Sequence, residues 1–144
     1  MRPSMADPDY AARKAVARAN RAFYAALEAL DIAAMAEVWA DEDAIQCVHP
    51  GGELLAGKAK VLGSWAVIFD STDGIRFDLS DVQVQVQGAA AWVTLVERIS
   101  TAVDDEQLDA AATATNLFVE RDGRWRLVLH HASPLQRRFY PEGA

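Results

Sequence analysis

The chain has 144 residues, of which 51% are hydrophobic and 24% charged, the usage of one globular domain large enough to bury a core of its own. Its formal net charge of −7 argues against nucleic acid and anionic membrane surfaces as partners, because both require a basic face. The lone Cys47 excludes an internal disulfide and a cysteine metal cage. No apolar run reaches membrane-spanning length or forms a secretory leader, so a cytoplasmic setting is expected.

A single domain over 1–144 is expected, with 1–7 and 136–144 as flexible tails. Asp7-Pro8 reads as a helix start: a carboxylate cap, then proline at a position where its missing N–H costs nothing. From there to Leu30, Val16, Phe23, Leu27 and Leu30 share one stripe with Ala19 and Ala26, while Arg13, Lys14, Arg21 and Glu28 lie largely off it. That pattern predicts a long amphipathic helix packed on something flat. Asp31 is expected to cap a short second helix carrying Ile32, Met35, Val38 and Trp39. Ala44 to His49 reads as a short strand, Pro50-Gly51-Gly52 as a turn and Leu54-Leu55 as the return strand. Lys58 to Phe69 carries a third helical pattern, with Val61, Trp65, Ile68 and Phe69 on its inner side.

The second half changes period. Val82 to Gln87 alternates valine with glutamine, the mark of a half-buried strand, and Gly88-Ala89 turns into a second strand over Ala91 to Ile99. Thr101 to Asp109 reads as a polar loop and Thr113 to Arg121 as a further strand. Asp122-Gly123 is the turn into the last strand, which ends near Pro134. Four strands in succession make an antiparallel meander, and helices followed by a sheet predict an α+β fold. Three N-terminal helices should cover the concave face of a curved, mostly antiparallel sheet. The other face, with Gln83, Gln85 and Gln87 among scattered apolar residues, is the expected site of a homodimer.

This order of elements resembles the nuclear transport factor 2-like (NTF2-like) superfamily and, within it, the SnoaL-like branch. The residues that carry the resemblance are Phe23-Tyr24, Asp31, Trp39, the run Cys47 to Gly52, Gly57 and Ser64-Trp65. In the sheet they are Gly88 to Trp92, Thr115-Asn116 with Phe118, and Trp125 to Pro134. The resemblance implies a cone-shaped barrel with an internal pocket, a scaffold that hosts ketosteroid isomerases, dehydratases and polyketide cyclases as well as members that only bind or assemble. A ketosteroid-isomerase resemblance also implies an acidic base on a cavity-facing strand with a tyrosine opposite. Tyr24 stands in for that tyrosine, while the first strand offers Gln46, Cys47 and His49 and no carboxylate.

Individual residues point to a site. On the last strand Trp125, Leu127 and Leu129 share a parity that His131 continues, while His130 falls with Arg126 and Val128. His131 is therefore the expected inward histidine, either a proton-transfer group or a core residue held by a partner such as Ser133. His49 closes the first strand at the expected cavity mouth, as a second proton-transfer group or a turn-stabilising one. Glu97 shares parity with Val93 and Leu95; it is either an inward carboxylate with a raised pKa or half of a salt bridge to Arg98 or Arg126. Asn116, in mid-strand, needs a hydrogen-bonding job, such as orienting His131. Tyr24 or Asn116 would stabilise developing oxyanion charge. Trp39, Trp65 and Trp92 serve either the core or the aromatic wall of a ligand site. The combination His49, His131 and Glu97 matches no local metal-ligand spacing, so neither metal nor cofactor is expected. The resulting expectation is a pocket for an apolar or aromatic metabolite, with cofactor-free isomerisation, dehydration or cyclisation as its chemistry. The rival is a non-catalytic dimerisation or association module.

Overall fold

The computed structural model describes residues 7–136; the expected tails, 1–7 and 136–144, lie outside them except for Asp7 and Gln136. The elements are α1 (Tyr10–Ala29), α2 (Ile32–Val38), β1 (Gln46–Val48), β2 (Leu55–Ala56), α3 (Lys58–Asp70), β3 (Gly74–Gln87), β4 (Ala90–Val103), β5 (Glu106–Arg121) and β6 (Arg124–Pro134). The strands form one six-stranded sheet in the order β2-β1-β6-β5-β4-β3, antiparallel except where β1 lies parallel to β6. This is the predicted α+β arrangement of three helices on a curved, mostly antiparallel sheet.

Local chemistry sets most of the boundaries. The stripe on α1 is buried through Val16, Asn20, Phe23, Tyr24, Ala26 and Leu27. The helix starts later than the sequence suggested. Asp9 occupies the cap position, and Asp7 closes the preceding turn by accepting from the Asp9 backbone N–H at 2.9 Å and from Arg13 Nε at 2.6 Å. At the other end Leu30 adopts a left-handed conformation (φ 51°) that returns its N–H to the last turn. Asp31 is then free to cap α2 by accepting from the Ala34 N–H at 3.1 Å.

The meander is longer than the hydrophobic pattern implied. β3 begins at Gly74 rather than Val82, and one extra residue between Ser80 and Gln83 bends it, with Asp81 at φ 53°. The stretch Thr101 to Asp109 is the tip of a hairpin and not a loop. Its strands run beyond the core, where both faces meet water, so polar composition disguised paired backbone. Asp104-Asp105 form a two-residue turn with both φ positive, 49° and 66°. A second bulge lies in β6: Leu127 pairs with Phe118 and Leu129 with Leu117, which leaves Val128 as the extra residue.

The core lies between the helices and the inner face of the sheet, and its largest fully buried side chains include Trp39, Phe23, Phe118, Met35, Ile45 and Leu127. Phe23 is its hub, with ring centroids 4.8 Å from Tyr24, 6.5 Å from Trp39, 5.7 Å from Trp65 and 4.8 Å from His130.

The Asp104-Asp105 turn yields a test, because left-handed backbone is strained for aspartate and free for glycine. The double substitution Asp104→Asn, Asp105→Gly should raise the unfolding free energy by about 0.5–1 kcal/mol in urea denaturation. Unchanged or lower stability would mean that the two residues do not form this turn in solution.

Candidate functional site

The site is built on the inner face of β4, β5 and β6, opposite α1. Strand alternation sends Val93, Leu95 and Glu97 of β4 inward with Ala112, Ala114, Asn116 and Phe118 of β5. On β6 the bulge at Val128 shifts the parity after Leu127, so His130 and Ala132 face inward and His131 is exposed on the other face. The expectation for the two histidines is therefore reversed. His130 is 3% exposed and sits directly opposite Asn116 in the sheet register.

A continuous chain of hydrogen bonds joins these residues to α1. His130 Nδ1 lies 2.6 Å from Asn116 Oδ1, and Asn116 Nδ2 donates to Asn20 Oδ1 at 2.9 Å and to Tyr24 Oη at 3.2 Å. Tyr24 Oη–H in turn donates to Glu97 Oε2 at 2.6 Å. Because the amide of Asn116 is spent as a donor on Asn20 and Tyr24, its oxygen accepts from His130. The proton of the imidazole is thereby placed on Nδ1, leaving Nε2 as the acceptor. Glu97 is 2% exposed and takes no part in the ion pairs among the described residues, so the inward-carboxylate reading holds over the salt bridge.

Burial drives the protonation states. It pushes His130 down to about 3, helped by His49 and His131, and pushes the Glu97 carboxyl up against the opposing hydrogen bond from Tyr24. Tyr24 is raised by burial and then by the neighbouring carboxylate. His130 is thus a neutral ring at ordinary pH. Glu97 has a basicity nearer neutrality than a free carboxylate.

His49 stands apart from that chain. It is half-buried, its Nε2 lies 2.9 Å from Ser64 Oγ, and the Ser64 hydroxyl also reaches the Val61 carbonyl at 2.7 Å. Its ring meets Trp65 edge-on at 4.5 Å, and burial lowers its pKa. The ring of Trp65 also lies 5.9 Å from that of His130. Cys47 is fully buried, with its thiol pushed up to about 12 by burial and by Glu97, the state of an inert apolar residue.

Two expected wall residues lie elsewhere. Trp92 alternates with Ala91 and Val93 and so faces the outer side of the sheet, paired with Gln85 and Leu117. Trp39 is packed in the core, and its Nε1–H donates to Met35 Sδ at 3.3 Å. The structure brings together Glu97, Tyr24 and Asn116, sets His49 and Trp65 beside them, and leaves His131 outside. Among the described residues no group of three His, Cys, Asp or Glu side chains is arranged to hold a metal ion. Asn20 and His130 were missed by sequence reasoning. Asn20 had a signal, being a polar residue within the apolar stripe of α1; for His130 the run Leu127-Val128-Leu129 hinted at broken alternation.

Two cavities, of about 590 and 570 Å³, open elsewhere on the surface. One is lined by alanines of α1 and α2 with Trp125, the other by Arg121, Arg124, Arg126 and nearby acids. Neither is lined by members of the His130–Asn116–Tyr24–Glu97 chain.

Fold and site together define an α+β cone with a polar chain buried on the inner face of its sheet. The chain belongs to the SnoaL-like domain family, whose model matches residues 16–136. It is 32% identical over 124 residues to the F-box protein SKIP8 of Arabidopsis thaliana, covering 86% of this chain but only 51% of that protein. It therefore spans about half the length of this curated relative. Among solved structures it is similar to a protein of Streptomyces avermitilis provisionally named a dehydratase of the NTF2-like family. The two are 34% identical with a TM-score of 0.84, over 88% of this chain and 98% of the other. A protein of Thiobacillus denitrificans, provisionally named a calcium/calmodulin-dependent protein kinase type II association domain, is 36% identical with a TM-score of 0.73, over 82% and 93%.

The reversal of the two histidines is measurable. His130→Ala should lower the unfolding free energy by about 2–4 kcal/mol, from lost ring volume and the unpaired Asn116 oxygen. His131→Ala should stay within about 0.5 kcal/mol. Equal costs in urea would return His131 to the interior. The pH dependence follows from linkage: a folded pKa of about 3 against 6.5 makes the unfolded chain take up the proton first. The stability contributed by neutral His130 is present above about 6.5 and is lost as pH falls toward 3. Glu97 acts with the opposite sign, reducing stability as pH rises above 4.5, so the comparison must be between variants. Melting temperatures between pH 6.5 and 3 should fall more steeply for wild type than for His130→Gln; identical slopes would remove His130 as the titrating group.

Proposed function

We propose that the inner face of the cone is a binding site for a compact, largely apolar metabolite, and that its chemistry is cofactor-free proton transfer of the isomerase, dehydratase or cyclase kind. The observation that carries this reading is the buried chain His130–Asn116–Tyr24–Glu97, ending in a carboxylate without a cationic partner among the described residues. A carboxylate kept in the core without a counter-ion is costly to the fold, and proton transfer is a use that repays it. In this reading Glu97 moves the proton, its carboxyl made more basic than a free one by burial. Tyr24 and Asn116 supply hydrogen bonds to developing charge. His130 is too weak a base for the proton and acts as a neutral acceptor at Nε2, and His49 with Ser64 stands beside Trp65. His131 has no part. The provisional naming of the Streptomyces avermitilis relative as a dehydratase agrees with this direction.

The same chain offers a surface for assembly. Trp92, Leu117 and Leu129 are register partners across β4, β5 and β6 on the outer face, each half-buried, in a row that begins at Gln85 and ends at Gln46. We propose that a second copy covers this row. The rival reading, a dimerisation or association module without catalysis, is favoured by the name of the Thiobacillus denitrificans relative.

Native mass spectrometry of freshly purified protein, followed by denaturing analysis of released molecules, separates the readings. The expected result is a dimer that carries a small organic molecule and becomes monomeric on Leu117→Arg. A ligand-free oligomer larger than a dimer would sink the pocket reading in favour of the association module.

A further inference from the structure

One polar group beside the buried chain stands without a partner. Among the described residues, Trp65 Nε1 is the one buried side-chain nitrogen or oxygen that makes no hydrogen bond, and Trp65 is 3% exposed. Trp39 shows the contrast, since its equally buried indole N–H is given even the weak acceptor Met35 Sδ. Leaving such a donor unmatched costs about 1–3 kcal/mol, which a fold retains where something else supplies the acceptor. Trp65 is in ring contact with both inner histidines and with two phenylalanines. Its ring centroid is 4.5 Å from His49, 5.9 Å from His130, 5.7 Å from Phe23 and 6.1 Å from Phe69.

We infer that the Trp65 indole N–H is the anchoring donor for an acceptor oxygen of the ligand, and that the ligand is uncharged. The inference rests on the pocket reading above and specifies the chemistry of its occupant. An indole N–H donates one hydrogen bond and carries no charge, so it suits a carbonyl, ether or hydroxyl oxygen but cannot neutralise a carboxylate or phosphate. The ion pairs among the described residues, Arg13–Asp7, Lys58–Asp41 and Arg121–Glu42, involve none of the aromatic residues around Trp65, and no described cation is bonded to them. An anion placed there would be buried unpaired. The surroundings already disfavour charge on three of their own groups, pushing His49 and His130 down and Glu97 up. The same desolvation acts on a charged guest. The aromatic ring of neighbours supplies the apolar contact that an uncharged, flat molecule uses.

Nitrogen-15 NMR of the full chain tests this directly, since each of the four tryptophans gives one indole resonance and Trp65→Phe identifies the one in question. The probes are acetophenone and, as its anionic counterpart, benzoate. Acetophenone at millimolar concentration should move the Trp65 indole signal downfield to saturation, benzoate should not, and Trp65→Phe should bind acetophenone about tenfold more weakly. Saturable acetophenone binding seen at His130 and Asn116 with an unmoved Trp65 signal overturns the inference and leaves the pocket reading standing. Benzoate binding as strongly as acetophenone overturns the assignment of an uncharged ligand. No saturable change from either probe overturns the inference and the pocket reading together.

Discussion

Asn116 holds together groups from three parts of the fold. From the middle of β5 its amide donates to Asn20 and Tyr24 on α1, and its oxygen accepts from His130 on β6. Tyr24 extends the connection to Glu97 on β4. Each of these groups is buried, so each depends on the others for its hydrogen bonds. Loss of the central amide would leave an asparagine oxygen, an imidazole N–H and a tyrosine oxygen each short of a partner. Such a network fixes the axial position and rotation of α1 on the sheet far more sharply than apolar packing does, because hydrogen bonds tolerate only tenths of an ångström. Phe23, on the same helix face, then has one place to sit among Tyr24, Trp39, Trp65 and His130.

The architecture was legible in the sequence because it rests on period and turn chemistry. The apolar stripe of α1, the cap at Asp31 and the valine–glutamine alternation of β3 each report a local preference that tertiary packing respects. Two kinds of part could not be read: polar strand ends that run beyond the core, and places where one residue is added to a strand. At Val128 the extra residue exchanges the faces of all that follows, and nothing in the composition of Leu127-Val128-Leu129 says which of the three is left unpaired. Glu97 was found because alternation on β4 runs unbroken, Asn116 because asparagine is disfavoured in mid-strand, and Tyr24 through the family resemblance. His130 was not, and Asn20 passed unnoticed until Asn116 required a partner. Trp92 belonged to the outer face by the same alternation that placed Glu97 inside.

Burial acts on the acid and the base of the site in opposite directions with one physical effect. Removing water penalises the charged form of each, so the imidazole of His130 loses basicity while the carboxyl of Glu97 gains it. In water the histidine would be the stronger base of the two. Inside this cone the order inverts, and the carboxylate becomes the stronger base of the two. The hydrogen bond from Tyr24 restrains that change, since it favours ionised Glu97. Sequence alone, reading reference pKa values, selects a histidine for proton transfer. The burial of both groups favours Glu97 for the proposed proton transfer.

Alternation also gives one set of strands two independent faces. Inward positions of β4, β5 and β6 carry Glu97, Asn116 and His130, while the outward positions between them carry Trp92, Leu117 and Leu129. A substitution at Leu117 changes the outer surface of the sheet without touching a side chain of the polar chain, and a substitution at Asn116 does the reverse. A scaffold with that separation can keep its assembly while its interior changes, or lose its chemistry while its outer face persists. Relatives provisionally named a dehydratase and an association domain fit that freedom. Val128 is where the separation fails. The bulge sets the parity of His130 and of the outward residues beyond it at once, so interior and surface are coupled through a single residue that is itself partly buried against the core.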